Sequence, residues 1–345
     1  LDILRIDGRL EFASSVDTQL AVDTILVAPQ GQLSIGSSQR PIADHVAARV
    51  VFVADGGIDA TWDPHQLSRG LLAHGQVEMY GKEVTPYVAL GSDLLAGASE
   101  LVLASVPTNW EVGDRLVLTG THYDYSNNQD EELEILAIRG NVVDVDADPE
   151  LPGQQPLAYN HVTPDGDDGA NPADPMNLSP DGDLLNVYVA NVSRNVVLIS
   201  ETPEINEHRG HVMFVHNQDV DIKNVGFYGL GRTDKRNPIN DPRLDADGKL
   251  IENTGLNPQG RYSVHFHRAG TSYDNQPGWV SGSAIVDSPG WGLVNHESYV
   301  HAHNNVAFQV TGASFVTEFG NEIGSFEGNL SINNAGSGDG LEDRS

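Results

Sequence analysis

Gly282-Ser283-Ala284-Ile285-Val286 returns as Asn304-Asn305-Val306-Ala307-Phe308 and again as Gly328-Asn329-Leu330-Ser331-Ile332. The copies follow one another at about 22–24 residues, a period at which one short unit cannot bury its own apolar face and must stack on its neighbours. Asn before an apolar triplet suits a coil corner, because it accepts left-handed backbone. Ser193–Ile199 and Asp219–Phe227 have the same flavour further upstream. A β-sandwich also spaces its strands evenly, but without such similar sequence at each step. The pattern therefore predicts an all-β chain whose second half is a parallel β-solenoid.

Working outward, Thr24–Pro29, Ala48–Ala54, Gln76–Tyr80, Glu100–Ala104, Arg115–Thr119, Glu132–Ile138 and Val142–Val145 have strand composition between Gly, Asn and Asp turns. Helical spacing is confined to Pro64–His74, with Leu67, Leu71 and Leu72. Two stretches read as long loops, 149–183 and 232–260. The first carries Asp165-Gly166-Asp167-Asp168-Gly169 and Pro180-Asp181-Gly182-Asp183. The second carries Asp241, Asp245, Asp247 and Glu252. Asp245-Ala246-Asp247-Gly248 touches a calcium-loop pattern, but Thr254 stands where the bidentate Glu belongs. The acidic loops read as solvated first and as calcium sites second. With no cysteine among 345 residues, a disulfide framework, a thiolate metal site and a Cys nucleophile are excluded. The formal charge of -30 argues against nucleic acid as a partner. There is no apolar run of membrane-spanning length. The chain opens in a strand pattern and ends at Asp339–Ser345 just after a coil-like segment, so a piece of a longer surface protein is expected.

Arg261-Tyr262-Ser263-Val264-His265-Phe266-His267 alternates with period two. Tyr262, Val264 and Phe266 share one face; Arg261, Ser263, His265 and His267 share the other. Folding requires no such row of imidazoles, whereas a rigid strand holding titratable groups at fixed spacing is what a site needs. Stacked coils let His211, His265, His267 and His296 converge, with Glu318 joining from a later coil. Coils stack about 4.8 Å apart, so the extremes of this set lie two or three coils apart.

Three chemistries fit those residues. Two or three histidines hold a divalent metal, zinc above all, with Glu318 as fourth ligand or general base. Alternatively a His works as acid or base without metal, Arg261 grips a substrate carboxylate, and Glu318 with Asp234 supplies a glycosidase's carboxyl pair. In a lyase, Arg261 or a cation neutralises a uronate while a His removes the C5 proton. Plainer readings stand beside these. A lone strand histidine such as His211 is usually packed and hydrogen-bonded. His301 and His303 face solvent, and Asp234 and Lys235 belong to a loop. Trp62, Trp110, Trp279 and Trp291 could stack on sugars, yet Trp110 and Trp291 suit core or turn packing. Glu318, between Val316 and Phe319, needs a partner if buried.

Leu4–Phe12, Val27–Gly36, Ser68–Leu71, His74–Gly81 and Trp110–Leu118 together resemble the G8 domain. Gly210-His211-Val212, Tyr262–His267, the histidine of Val294-Asn295-His296, and Thr317-Glu318 resemble the β-helix of the cell-migration-inducing and cell-surface hyaluronidases. The resemblance has gaps in both long loops. It also departs at cysteine, which the animal proteins have here, and so implies a bacterial relative. It implies a G8-like β-domain at 1–125, connecting strands and an acidic loop at 126–190, and a right-handed parallel β-helix at 191–345. It further implies a secreted or cell-surface protein acting on a hyaluronan-like or other acidic polysaccharide, a hydrolase before a lyase, with calcium dependence. Fold alone does not settle the reaction. A non-catalytic carbohydrate-binding or adhesive module, with partner domains in a larger surface protein, is the alternative from another class.

Overall fold

The computed structural model describes residues 1–122, 128–151, 153–163 and 186–336. The acidic stretches at 165–169 and 180–183 and the tail at 339–345 lie outside the described residues. The chain forms two compact units, residues 1–83 with 194–345, and residues 84–193.

The first unit is a parallel β-helix built from three seven-stranded sheets, each coil giving one strand to each sheet. Its first coil already begins at Ile3–Ile6, which pairs in parallel with Thr24–Val27. The coils continue in register across the point where the second unit departs: Ala48–Phe52 pairs with Val196–Ser200. Inside the helix, equal positions form columns. Leu20, Val50, Leu198, Phe227, Ile285 and Ala307 are consecutive register partners. On another wall Val27, Ala73, Phe214, Phe266 and Asn295 follow one another, with the two phenyl rings 4.8 Å apart. Burial of these columns, rather than local propensity, fixes the register, because a one-residue slip would turn every inward side chain to solvent.

One corner recurs coil after coil. Asn224, Gly282, Asn304 and Gly328 hold φ values of 57°, 59°, 55° and 59°, the left-handed region expected for such a corner. The next position carries an amide ladder. Asn305 Oδ1 accepts from the Ser283 N–H at 2.9 Å, and Asn329 Oδ1 accepts from the Asn305 N–H at 2.9 Å. Asn305 Nδ2 also donates to the Val280 carbonyl at 3.0 Å.

The second unit holds a six-stranded antiparallel sheet in the order Glu100–Val102, Val142–Asp146, Glu131–Arg139, Arg115–Leu118, Tyr188–Asn191, Tyr87–Ala89. Leu101, Leu116, Leu133, Ile135, Val143 and Val189 form its own core.

These units differ from the expected boundaries at 125 and 190. Residues 3–80 are not a β-domain ahead of the solenoid but its first coils, because their apolar columns continue into those of the later coils. The strands expected to connect two domains instead belong to the inserted sheet: Glu131–Arg139 and Tyr188–Asn191 pair with Arg115–Leu118, and Val142–Asp146 pairs with Glu131–Arg139. Pro64–His74 is not helical either: Arg69 has φ 63° and Gly70–Ala73 is a strand of the solenoid. A single helical turn, Asn206–His208, occurs among the described residues.

Asn305→Ala removes hydrogen bonds to fully buried backbone groups and should cost about 1–3 kcal/mol in urea unfolding. Asn304→Gly at the adjacent left-handed position should change stability by only a few tenths of that, since glycine already stands at two equivalent corners. Equal costs for the two substitutions would contradict the ladder.

Candidate functional site

The strands Val264–His267, Leu293–His296 and Phe315–Thr317 lie side by side on one wall of the solenoid. Phe266 points into the core, so His265 and His267, either side of it, point out. Register sets His267 beside His296. Pairing of Asn295 with Thr317 carries the alignment on to Glu318, whose N–H donates to the Asn295 carbonyl at 3.0 Å. Three coils thus deliver three imidazoles and one carboxylate to a single patch.

The rings of His265, His267 and His296 lie 4.8 to 5.9 Å apart by centroid. One ligand atom from each falls within 4.8 Å of the others. Glu318 Oε2 approaches His296 Nδ1 at 3.0 Å and His265 Nε2 at 3.6 Å. Neither approach has the alignment of a hydrogen bond. His265 Nε2, His267 Nδ1, both nitrogens of His296 and Glu318 Oε2 are buried with no hydrogen-bond partner. Orphaned polar atoms of this kind are costly, and here five of them belong to one cluster of four residues.

Local contacts fix the orientation of these groups. His265 Nδ1 sits 2.9 Å from the Gly260 carbonyl. A carbonyl only accepts, so Nδ1 carries the proton and Nε2 offers its lone pair toward Glu318. Burial, with His267 beside it, holds the His265 imidazolium well below its usual range. Burial also lowers His267 to about 4, helped by His296 and Arg268. Both rings are therefore neutral near pH 7, the state in which imidazole binds metal. Gln259 Nε2 donates to Glu318 Oε1 at 2.9 Å, and the Tyr262 hydroxyl reaches the same oxygen at 3.4 Å. Lys235 lies buried with Nζ 3.7 Å from the centre of the Trp291 ring, and burial lowers its ammonium to about 8. Trp291 in turn packs on Tyr262, with ring centres 4.9 Å apart.

His265, His267, His296 and Glu318 come together. The remaining expected site residues lie elsewhere or are engaged. His211 is buried, with Nδ1 2.8 Å from the Arg69 carbonyl and 3.0 Å from Arg232 Nη1, and it is not part of the histidine cluster. Arg261, expected to grip a substrate carboxylate, instead donates to the backbone carbonyls of His65, Gln66 and Gln259. Its buried guanidinium staples a loop to the solenoid. Asp234 accepts from Arg236 Nε at 2.9 Å and Asn237 Nδ2 at 2.8 Å, in a loop of its own. His301 and His303 share the Ser325 hydroxyl at 2.7 Å each. In the acidic loop, Asp245 Oδ1 accepts from the N–H groups of Asp247 and Lys249 at 2.9 Å, which closes a turn.

Three residues around the cluster escaped the sequence reading. Glu297 Oε2 lies 3.5 Å from His296 Nε2 and 2.9 Å from Arg268 Nε. Tyr262 was counted with the core, and Gln259 sits in the loop before it. Only the register of Asn295 on Thr317 could have pointed to Glu297, by setting the neighbouring His296 beside Glu318.

The G8 domain family model matches residues 1–91, and the CEMIP beta-helix model matches residues 243–343. A G8 domain-containing protein of Dictyostelium discoideum is 22% identical over 317 residues, covering 89% of this chain and 18% of that protein. The human cell migration-inducing and hyaluronan-binding protein is 26% identical over 257 residues, covering 70% of this chain and 16% of that protein. The chain thus spans less than a fifth of either relative. Among solved structures, the tailspike gp49 of Pseudomonas phage LKA1 is 12% identical with a TM-score of 0.24, covering 96% of this chain and 47% of that one. The gp54 tailspike of Acinetobacter baumannii bacteriophage AP22, in complex with capsular saccharide, is 9% identical with a TM-score of 0.22, covering 96% and 53%.

The neutral imidazoles set a pH dependence. Folded His265 and His267 titrate below the roughly 6.5 of a free imidazole. Between about pH 6.5 and 4 the unfolded chain therefore binds protons that the folded chain refuses. In metal-free buffer the urea midpoint should fall as pH drops through that window, and His267→Asn should fall less. A midpoint that rises or stays level on acidification would contradict the burial of these rings.

Proposed function

We propose that this chain, which belongs with the G8-domain and CEMIP β-helix proteins, is an extracellular enzyme that depolymerises an acidic glycan at a histidine-centred metal site. The observation that carries this reading is the convergence of His265, His267 and His296 on one another, with their inward atoms and Glu318 Oε2 left without partners. A divalent ion would satisfy one nitrogen of each of the three rings and leave its fourth position to a water beside Glu318 Oε2. Zinc holds four ligand atoms at about 2.0–2.2 Å, hence about 3.4 Å from one another. The present spread of up to 4.8 Å needs ring rotations of little more than 1 Å to close. Hydrogen bonding of His265 Nδ1 to a backbone carbonyl is the outer support that ligand histidines ordinarily have.

The name of the human relative, a hyaluronan-binding protein, supports an acidic polysaccharide as the substrate class. Bound metal would act as a Lewis acid and lower the pKa of a water. Glu318, kept oriented by Gln259 and Tyr262, would take that water's proton in a hydrolysis. The lyase alternative used Arg261 or a cation to neutralise a uronate; that guanidinium is committed to backbone carbonyls, so a lyase would have to use the metal instead. A purely adhesive module would give no reason to bury five unsatisfied atoms at one spot. No helix among the described residues is long and apolar enough to cross a membrane.

Purified protein should bind about one divalent ion per chain, and chelation should abolish release of reducing ends from acidic polysaccharides. His265→Ala with His267→Ala should remove the ion and lower turnover on the order of a hundredfold or more. Glu318→Gln should keep the ion and still lose about 10²–10⁴ in kcat. Retention of metal and depolymerisation in the double variant would refute the histidine site. Appearance of ultraviolet absorbance from an unsaturated uronate would move the reaction to a lyase.

A further inference from the structure

Where each coil leaves the histidine wall, the chain turns through left-handed backbone at His216, Arg268 and Glu297, with φ of 50°, 54° and 47°. The register that aligns Val215 with His267, and His267 with His296, puts these three residues in one column directly after the site. The turn is locked in place: His216 N–H donates to the His267 carbonyl at 2.9 Å and Arg268 N–H to the His296 carbonyl at 2.8 Å. The corner one sheet later solves the same geometric problem with Asn and Gly, the residues that adopt left-handed backbone at least cost. Long, branched or charged side chains at such positions are costly, and an outlier retained beside a site is a reason to look for function.

Arg268 is the residue of that column with chemistry to spare. Its side chain is 54% exposed, and its Nε meets Glu297 Oε2 at 2.9 Å. Among the described residues its two Nη groups have no partner. Arg261, by contrast, has its guanidinium filled by three carbonyls. Glu297 also touches His296, so the Arg268 head is anchored at the rim of the cluster rather than loose in solvent. A guanidinium fixed through Nε and open through both Nη groups presents paired N–H donors, the arrangement that takes a carboxylate in bidentate fashion. An acidic ligand approaching a protein of charge -30 needs such a local cation.

We propose that Arg268, held by Glu297 on its left-handed corner, is the subsite that recognises the carboxylate of a uronic acid residue next to the histidine cluster. The assignment rests on the acidic-glycan reading above for its ligand class, but not on catalysis. It is tested by calorimetric titration with hyaluronan, polygalacturonate and alginate oligosaccharides, each with its carboxyl-reduced counterpart, in parallel with metal content and cleavage. Wild type should bind at least one acidic oligosaccharide tenfold or more tightly than its reduced form. Arg268→Gln and Arg268→Gly should lose that tenfold preference, and Arg268→Lys should restore only part of it. Arg268→Gly should not lower the unfolding midpoint, because it relieves the left-handed strain, which separates recognition from folding. Equal binding of acidic and reduced forms by wild type, no binding of any acidic form, or an unaltered preference in both variants overturns the subsite. Failure of cleavage or of metal binding, with the carboxylate preference intact, instead counts against the hydrolase reading alone.

Discussion

In-register parallel stacking is the constraint on which everything else in this chain depends. Each coil lies about 4.8 Å from the next, and strand residues of the inner coils have register partners above and below. That single rule aligns Leu20 through Ala307 as an apolar column inside the helix. It also aligns His267, His296 and Glu318 outside it. Core and site are therefore the inward and outward faces of the same strands. A slip that disturbed one would disturb the other, because the side-chain period of a strand is two.

The corners translate that rule into chemistry. One corner uses Asn and Gly at its left-handed positions and satisfies its backbone with an amide ladder through Asn305 and Asn329. It does nothing visible beyond turning the chain. The corner after the histidine wall uses His216, Arg268 and Glu297 for the same turn. In the third turn, ahead of the histidine wall, the cost of ordering is met by buried arginines. Arg69, Arg232 and Arg261 each donate to several backbone carbonyls that no sheet pairing serves. Guanidinium suits that task because its five donors spread in a fixed fork and remain charged under burial.

The solenoid was legible where the coils have equal length. Between Ala284 and Leu330 no insertion separates successive coils, so the repeat survives as sequence similarity. It was illegible in residues 3–80, where turns of differing length hide the same three-strand coil and the apolar positions do not recur at one period. The insertion at 84–193 broke the pattern further, which is why the expected boundaries fell at 125 and 190. At the site, strand alternation identified His265 and His267, and the later coils supplied His296 and Glu318. Arg261 misled for a physical reason: alternation tells which face a side chain leaves from, not what the long guanidinium finds at its far end. Glu297 and Gln259 lie in turns, whose contacts depend on register and on loop paths that single-strand patterns do not encode.

The charge of the molecule sharpens the functional argument. At -30 the chain should repel a polyanion at long range, so attraction at the site has to be local. The buried imidazoles of His265 and His267 are neutral, and the Glu318 carboxylate is flanked by Tyr262, Gln259 and the buried Lys235. The divalent ion proposed among the three histidines would add two positive charges where these polar atoms lack partners. Arg268 adds a third at the rim. In salt water the Debye length shrinks to about 4 Å, so distant carboxylates are screened while charges in contact with a bound uronate are not. An acidic surface and an acidic substrate are then compatible, provided the attraction is concentrated within one sugar's width of the site. The stacked register provides that concentration, by bringing the histidines and Arg268 to one edge of two neighbouring coils.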